Sequence, residues 1–545
     1  MSGGKRRDGG RRESPGAGNR DSLAGGRKRQ GGRAVNGQAN NRGRQDRFAS
    51  GREGRSGGAP SSLAGVPVAV GQSVACDIIG LTHDGEGVGR VEGYTLFVRG
   101  ALPGERVRAE VGSIGKSFGR AWMTELLEVG ESENKGEGEK IRVTPPCPIY
   151  EDCGGCQLQH LAYAEQLKWK REHVVNNLRR IGKVAVAGAE GAVAAGDGTL
   201  DGRPEAVVHP TIGMSEPWRY RNKAQVPIGS AGGNLVGGFY EKGSHEIVEM
   251  GACLIQVEEN EKTVRIVKEA ARLLDIPPYS RESGRGLLRH VVVRHARTTG
   301  QRMVVLVTNG RDIPRGEELV ALLRESVPGI ASICQNIQTA ETSVVFGDET
   351  RTLWGEDVIY DEIGGIQFAI SPRSFFQVNP EQTVQLYRKA VEYAGLTGEE
   401  TVIDAYCGIG TISLFLARHA KRVYGVEIIP EAIEDARRNA ALNDIRNAEF
   451  AVGPAEVVMP RWQAEGIAPD VIVVDPPRKG CDPALISTML ELRPARIVYV
   501  SCDPATLARD LKLLEDGGYR TVEVQPVDMF PHTGHVECCV LLVRK

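Results

Sequence analysis

From about residue 371 onward, the sequence alternates strongly apolar runs with segments of helical periodicity. The runs TVIDAYCG, RVYGVEII, DVIVVDPP and RIVYVSC have the length and β-branched content of buried strands. Buried strands that alternate with helices favour a parallel, doubly wound sheet, because each crossover helix covers one face of the sheet. The pattern therefore predicts an α/β domain over residues 371–545, with its ligands outside the carboxyl ends of the strands.

The part of the chain before this α/β domain has a different composition and divides into three segments. Residues 1–65 form a tail, whose first 60 residues carry 15 Lys and Arg, 5 Asp and Glu and 16 Gly, so we expect disorder. Residues 66–128 alternate short strands with glycine turns, which predicts a small closed β-barrel. Residues 145–370 mix strands and helices, which predicts an α+β central domain. Within it we expect a helix over 161–183 that packs on the α/β domain, and a flexible Ala/Gly-rich insertion over 184–207.

Charge, hydropathy and cysteine content limit the partners and the compartment. The net charge is -2, but the tail is strongly basic, which suits attraction to phosphate backbones; the alternative is a passive extension. No apolar run is long enough to span a membrane and no signal peptide is recognisable, so we expect a cytoplasmic protein that acts as a monomer without membrane contact. In that compartment the 11 cysteines are ligands, nucleophiles or core residues rather than disulfides.

The turn after the first strand of the α/β domain has the composition of a cofactor site. In VIDAYCGIG, Gly408 and Gly410 let the backbone approach a ligand, and the following helix presents free amides. Glu427 ends the next strand, where a carboxylate can accept hydrogen bonds from two ribose hydroxyls. A dinucleotide site would need a third glycine for the pyrophosphate, whereas Thr411 follows here. The spacing therefore favours S-adenosylmethionine, which has no phosphates.

Two further strand ends carry residues suited to methylation of a carbon atom. Asp475 begins DPPRKG, in which Arg478 stands where methyltransferases acting on amino groups usually have an aromatic residue. Cys502 could be a small buried residue, but a thiolate there could also add to C6 of a pyrimidine and activate C5. A base must later remove the C5 proton, and Glu537 at the start of the last strand is the candidate.

A run of cysteines near the start of the central domain is a second chemical feature. CPIYEDCGGCQ contains Cys147, Cys153 and Cys156 with C-x5-C-x2-C spacing, and Cys253 in MGACLIQ is the best candidate for a fourth ligand. Four thiolates suit zinc and an iron–sulfur cluster alike, so the spacing leaves both open.

The stretch EPWRYRNKAQ alternates aromatic and basic residues. On a strand, this alternation would place the basic and aromatic groups on defined faces, suited to phosphate contact and base stacking; the alternative is an ordinary solvated face. The residues concerned are Trp218, Arg219, Tyr220, Arg221 and Lys223.

Five motifs, SFFQVN, DAYCGIGT, DPPRKG, YVSCDP and PHTGHVE, resemble in this order those of the uracil-5-methyltransferase family that acts on ribosomal and transfer RNA. The resemblance covers about residues 70–545 and implies a Rossmann-like methyltransferase domain that uses S-adenosylmethionine. It implies that Cys502 is the nucleophile and Glu537 the base. It also implies four residues that bind the cofactor or the uracil edge: Gln377, Tyr406, Glu427 and Asp475.

The same resemblance bears on the N-terminal half and on the substrate. It implies that the barrel, in which DGEGVGR near the start is typical, is an OB-like TRAM domain that binds RNA. It also implies that the four cysteines hold a [4Fe–4S] cluster rather than zinc. Barrel and cluster together resemble the 23S rRNA enzymes, so 23S rRNA is the expected substrate and tRNA the alternative. Because the target uracil must leave its stack, we expect unpaired or loop RNA. An RNA-binding or RNA-folding module without methylation is the alternative from another class of function.

Overall fold

The computed structural model describes residues 63–129, 141–187 and 205–545. Nearly all of the tail expected to be disordered (1–65) lies outside these ranges, and so does most of the insertion expected over 184–207. The described ranges form a closed barrel, a seven-stranded sheet, a two-stranded ribbon and an eight-stranded sheet. Among their helices, none combines the length and the apolar character that a membrane crossing requires.

The N-terminal element is a closed five-stranded barrel, as predicted. Its strands are β1 (Ser73–Leu81), β2 (Glu86–Val91), β3 (Tyr94–Arg99), β4 (Arg106–Ile114) and β5 (Phe118–Glu128). They close in the order β1-β2-β3-β5-β4, with β3 and β5 parallel. Side chains along each strand alternate between the interior and solvent, so Val74, Cys76 and Ile78 fill the core while their neighbours are exposed.

The central part is a mixed sheet with helices on one face. Its strands are β7 (Lys223–Ala231), β8 (Asn234–Tyr240), β9 (Ile247–Glu249), β10 (Leu288–His295), β11 (Arg302–Thr308), β12 (Ile330–Ile337) and β13 (Glu349–Gly355). Their order is β13-β12-β11-β10-β7-β8-β9. One face packs against helices α2 (Glu258–Leu273) and α3 (Gly316–Ser326), while Val292 and Val305 on the other face join the core of the C-terminal part.

Helix α1 packs on the C-terminal part, and a short ribbon lies between the central sheet and the C-terminal part along the chain. Helix α1 (Tyr163–Asn177) ends in a π-helical turn, Leu178–Gly182, and Val174 and Leu178 are buried in a core shared with the C-terminal sheet. The ribbon consists of β14 (Ile359–Ile363) and β15 (Ile366–Ile370), paired antiparallel.

The C-terminal part is an eight-stranded sheet with helices on both faces. Its strands are β16 (Thr401–Ala405), β17 (Arg422–Glu427), β18 (Ala448–Val452), β19 (Val471–Val474), β20 (Arg496–Ser501), β21 (Tyr519–Val527) and β22 (Glu537–Arg544), joined at the edge by β6 (Val207–Val208). The helices are α4 (Pro380–Ala394), α5 (Thr411–Ala417), α6 (Pro430–Leu442), α7 (Ala455–Ala464), α8 (Pro483–Leu492) and α9 (Pro504–Asp516).

The strand order of this sheet defines where a ligand can bind. The order is β18-β17-β16-β19-β20-β22-β21-β6, and the five strands from β18 to β20 are parallel. The chain runs outward from β16 to β18 and then returns to β19 on the other side of β16. This reversal opens a crevice between the carboxyl ends of β16 and β19.

The barrel touches the loop between β21 and β22. A Cβ built on Gly534 of that loop would lie 1.7 Å from the carbonyl oxygen of His83, at the tip of the β1–β2 hairpin. Only a residue without a side chain fits at this contact, because a Cβ would have to displace backbone.

Candidate active site

Cys502 lies between β20 and α9, at the carboxyl edge of the parallel strands. The side chain of Asp503 caps α9 by accepting hydrogen bonds from the backbone N–H groups of Ala505 at 2.8 Å and Thr506 at 3.0 Å. Pro504 occupies the first turn, where its missing N–H costs nothing. The residue before the cap is therefore held at a fixed place at the edge of the sheet.

Glu537 reaches the same edge from the neighbouring strand. In the antiparallel pair of β20 and β22, Ser501 pairs with Cys538, so Cys502 and Glu537 occupy the next position of this register. Asp475 directly follows β19, the strand on the other side of β20. The structure thus brings together three of the residues that the sequence singled out, although they are up to 62 residues apart in the chain.

Burial and neighbouring charges set the proton affinity of this group. Burial, followed by the charge of Asp475, raises the pKa of Glu537 to about 8. Burial, Glu537 and Asp475 together raise the pKa of Cys502 to about 12. Arg478 opposes both shifts, since its guanidinium favours the thiolate and the carboxylate. Burial thus favours the neutral forms of both groups, and Arg478 favours the charged forms that act as nucleophile and base.

The glycine turn after β16 lies at the crevice of the sheet. Gly408 and Gly410 have positive φ angles of 55° and 81°, and open space surrounds the position that a Cβ on Gly408 would take. Tyr406 is also left-handed, with φ of 67°, a conformation that strains a residue with a bulky side chain. The turn therefore presents bare backbone to the crevice.

Two carboxylates flank this turn. Asp404 is buried, accepts a hydrogen bond from Ser413 Oγ at 2.5 Å, and its Oδ1 has no partner in the described part of the chain. Glu427 ends β17 and accepts from the N–H of Ile429 at 3.1 Å, and the apolar side chains of Ile428 and Ile429 are exposed beside it. The free oxygen of Asp404 suits an ammonium group, and Glu427 beside the glycine turn suits a ribose. The exposed side chains of Ile428 and Ile429 suit a flat base. Asp404 was not among the predicted site residues, although its place near the end of a strand was a signal.

Gln377 lies in the loop between β15 and α4 and is buried. Its carbonyl accepts a hydrogen bond from Asn222 Nδ2 at 3.2 Å, which ties this loop to the central sheet. This loop leads into α4, whose Tyr387 donates to Thr411 Oγ1 at 3.2 Å. Helix α4 therefore contacts the residue that follows the glycine turn.

The two histidines near Glu537 have different surroundings. His532 is buried and stacks on Trp218, with ring centroids 3.6 Å apart. The backbone N–H of His532 donates to Gln166 Oε1 at 3.0 Å, and the ring Nδ1 lies 3.2 Å from Gln166 Nε2. Burial lowers the pKa of His532 to about 3, so the ring stays neutral. Its role in the loop is packing rather than proton transfer. His535 is exposed next to Phe530.

The four cysteines expected to bind a metal lie in one neighbourhood of the central part. Cys147, Cys156 and Cys253 belong to a small apolar cluster, and the N–H of Gly155 donates to Cys153 Sγ at 3.3 Å. Burial, and to a smaller extent the other thiols, raises the pKa of Cys156 to about 12. Within the described ranges, however, no three Cys, His, Asp or Glu side chains form a group that could hold a metal ion. The geometry therefore does not support the predicted metal site, whether iron–sulfur or zinc.

The prediction that EPWRYRNKAQ forms one strand with alternating faces is wrong. Strand β7 begins only at Lys223, and Arg219 has a positive φ of 53° that breaks the extended chain. Arg219 forms an ion pair with Glu261, and Tyr220 is fully buried and donates to the carbonyl of Pro531 at 3.0 Å. Tertiary contacts of Arg219 and Tyr220 therefore prevent the extended strand that the alternating sequence predicts.

The doubly wound sheet, with β22 inserted antiparallel beside β20 and a bare glycine turn at its crevice, defines a methyltransferase. Residues 359–545 match the family model of tRNA (Uracil-5-)-methyltransferases, and residues 67–122 match that of the TRAM domain. An uncharacterized RNA methyltransferase of Halalkalibacterium halodurans is 54% identical over 88% of this chain and 98% of its own. Another, from Listeria innocua, is 50% identical over 87% of this chain and 98% of its own. The chain belongs to this family of RNA methyltransferases, whose catalytic domain is of the uracil-5 type.

A solved structure resembles the chain over most of its length. The tRNA (uracil-54, C5)-methyltransferase of Pyrococcus abyssi, in complex with S-adenosyl-L-homocysteine, superposes with a TM-score of 0.64 and 28% identity. The match covers 86% of this chain and 100% of the Pyrococcus chain.

The charges around Cys502 predict how fast its thiol is alkylated. Asp475→Asn should lower the pKa of Cys502 and speed its reaction with iodoacetamide, whereas Arg478→Met should raise the pKa and slow it. Below the pKa, a shift of one unit changes the thiolate fraction about tenfold. The rate at the Cys502 peptide is followed by mass spectrometry at pH 8. Lys421→Met, at the amino end of β17, is the matched control and should leave it unchanged; equal rates in all variants would contradict the assigned electrostatics.

Proposed function

We propose that this protein methylates C5 of uracil in RNA, with S-adenosylmethionine as methyl donor and Cys502 as nucleophile. The observation that carries the proposal is the register of β20 and β22, which puts Cys502 opposite Glu537 at the crevice edge. Direct methyl transfer to nitrogen or oxygen has no use for a thiol paired with a buried carboxyl. Methylation of C5 needs both groups, one before and one after the transfer.

Cys502 activates the uracil. Its thiolate adds to C6, and the electrons of the C5–C6 double bond move toward the C4 carbonyl, so that C5 becomes nucleophilic. Because burial and two carboxyls raise the pKa of the thiol, the guanidinium of Arg478 has the task of favouring the thiolate. S-adenosylmethionine, when bound at the glycine turn, supplies the methyl group that C5 takes up.

Glu537 completes the reaction. Its carboxylate takes the proton from C5, the electron pair of the C5–H bond restores the C5–C6 double bond, and the C6–S bond breaks with release of the Cys502 thiolate. The raised pKa of Glu537 suits a base that acts near neutral pH.

The crevice offers the groups that a bound cofactor needs. Glu427 would accept hydrogen bonds from the ribose hydroxyls, the turn would admit the amino-acid part, and Asp404 has a free oxygen for its ammonium group. The S-adenosyl-L-homocysteine bound to the Pyrococcus enzyme supports this assignment. The residues proposed to bind the cofactor or the uracil edge are Gln377, Tyr406, Gly408, Gly410, Glu427 and Asp475.

A covalent trap separates the two catalytic residues by the time at which they act. Glu537→Gln should still add to the RNA and methylate it, but stall as a methylated protein–RNA adduct. With methyl-labelled cofactor, a labelled adduct should survive denaturing electrophoresis. Cys502→Ala/Glu537→Gln should form no adduct, and Glu523→Gln, a carboxylate on β21, should turn over normally. Normal turnover by Glu537→Gln would place the base elsewhere, and absence of methylation by the wild type would leave an RNA-binding module.

The trapped RNA also identifies the substrate. We propose 23S rRNA, from the resemblance of a barrel-containing chain to the ribosomal RNA enzymes. The second candidate is tRNA, which the similarity to the Pyrococcus tRNA enzyme favours. Unmodified total RNA from a strain without the gene serves as substrate, and sequencing of the adduct distinguishes the two.

The barrel offers one surface for RNA. Phe118, Arg120 and Trp122 alternate with buried residues on β5, so all three point outward, and the two aromatic side chains are 47% and 45% exposed. The register places Phe97 opposite Arg120 and Arg99 opposite Trp122. Exposed aromatic rings between guanidinium groups suit the stacking of unpaired bases beside a phosphate backbone.

Two basic side chains near the loop that leads to Glu537 offer a second contact. Arg221 lies over the ring of Phe530, 6.0 Å from its centroid, in the loop that leads to Glu537. Lys223 is two residues further, and burial, with Arg294 and Arg221, lowers its pKa to about 7. Neither side chain forms an ion pair or hydrogen bond within the described ranges. Basic side chains without an anionic partner near this loop suit the phosphates that flank the target uracil.

Substitution of these cations should weaken RNA binding without changing the chemistry. Arg221→Ala and Lys223→Ala should each raise the Kd and reduce the slope of log Kd against log salt by about 1, as for the loss of one phosphate contact. Arg446→Ala is the control, because Arg446 precedes β18 at the opposite, amino edge of the sheet. An unchanged salt slope in both variants would exclude phosphate contacts.

We also propose that a [4Fe–4S] cluster is held by four cysteines: Cys147, Cys153, Cys156 and Cys253. The proposal rests on the family resemblance, on the thiol donor set and on the N–H bond to Cys153, although the described side chains do not form a group that could hold a metal ion. The cluster would have a structural role, because methyl transfer needs no redox step.

Anaerobic purification tests the cluster directly. The protein should be brown and contain iron, and Cys153→Ser should lose the iron. Cys334→Ser, in the central sheet, is the matched control and should keep it. Colourless wild-type protein, or protein with one equivalent of zinc, would contradict the assignment.

A further inference from the structure

The loop between β21 and β22, residues 528–536, leads directly into Glu537 and is called the base loop here. Four consecutive carbonyl groups of this loop accept hydrogen bonds from distant parts of the chain. The carbonyl of Met529 accepts from Asn379 Nδ2, and that of Phe530 accepts from Lys170 Nζ. The carbonyl of Pro531 accepts from Tyr220 OH, and that of His532 accepts from the N–H groups of Gln157 and Leu158. Three of the four contacts therefore come from segments that precede the central sheet.

A buried ion pair holds the start of the base loop. Lys170 Nζ, from the middle of α1, lies 2.5 Å from Asp528 Oδ1, and both side chains are fully buried. Nζ also donates to the carbonyl of Phe530 at 3.1 Å, and Tyr163 OH donates to the other oxygen of Asp528 at 2.9 Å. Both carboxylate oxygens are thus satisfied, which a buried charge requires.

A neutral side chain on the same face of α1 holds the loop further along. Gln166 precedes Lys170 by one helical turn and is fully buried. It accepts from the N–H of His532 at 3.0 Å, while its Nε2 donates to the carbonyls of Leu158 and Leu161. One helix outside the α/β domain therefore contacts the base loop at residues 528, 530 and 532.

We propose that the Lys170–Asp528 pair and Gln166 are positioning residues, which hold Glu537 where it removes the C5 proton. This inference rests on the proposed function. Addition of Cys502 and uptake of the methyl group at C5 use β20 and the glycine turn, and neither step needs the base loop. Only proton removal and breakage of the C6–S bond depend on Glu537. A loosened base loop should therefore slow release of the product and spare methylation.

A double variant tests the proposal without leaving an unpaired buried charge. Lys170→Met/Asp528→Asn replaces the ion pair by neutral groups of similar size. In single turnovers with methyl-labelled cofactor, methyl incorporation should stay within about threefold of wild type. Release should slow by about tenfold or more, because a displacement of about 1 Å can cost about 100-fold. The labelled protein–RNA adduct should accumulate, as with Glu537→Gln run in parallel.

A second ion pair, in which the lysine is buried and the carboxylate is 45% exposed, provides the control. Lys268 of α2 lies 2.6 Å from Glu249 of β9 and also contacts two carbonyls, but α2 packs on the central sheet rather than on the base loop. Lys268→Met/Glu249→Gln should lower the Tm without separating the two rates. If Lys170→Met/Asp528→Asn does not fold, Gln166→Met, which removes only neutral hydrogen bonds, decides in the same assay.

The outcomes separate this inference from the proposed function. A slow release with normal methylation supports the positioning role. Normal release, or equal slowing of both steps, overturns it while Glu537→Gln still traps the adduct. If Glu537→Gln itself traps nothing, the proposed function fails and the positioning role fails with it.

Discussion

The antiparallel pairing of β22 with β20 is the constraint on which the rest of the site depends. A purely parallel sheet would bring only the carboxyl ends of strands to the crevice. Because β22 runs the other way, its first residue, Glu537, meets the residue after the last residue of β20. The nucleophile can therefore lie at the start of a capped helix while the carboxyl lies at the start of a strand. Their protonation is then set by shared burial and by Asp475 and Arg478.

The parts of the fold that the sequence predicts are those specified by local periodicity. Alternating residues with glycine turns predict the barrel, and buried strands between helices predict the doubly wound sheet. The positions of Glu427, Asp475 and Cys502 at strand ends follow from the same pattern, since the strands are short and sharply bounded. Their common location needs only the rule that parallel strands share one carboxyl edge.

Other features have no local signal. The bend at Arg219 replaces an expected strand, because the Tyr220 hydroxyl donates to the carbonyl of Pro531, 311 residues away in the chain. Lys170 and Asp528 are 358 residues apart, and neither has a recognisable motif around it. Cysteine spacing predicts a set of thiols but not the distances between them. Such a buried pair adds little net stability, whereas loss of one partner costs about 3–5 kcal/mol. The positioning role proposed for Lys170 and Asp528 would account for its presence.

The contact between His83 and Gly534 bears on how such a molecule can evolve. The barrel of this chain is more than a portable module joined by a linker, because its hairpin tip occupies the volume that any side chain at position 534 would take. Barrel and catalytic loop must therefore have changed together. A lineage that discarded the barrel would at once become free to place a side chain at this position, and a lineage that acquired one would first need glycine there.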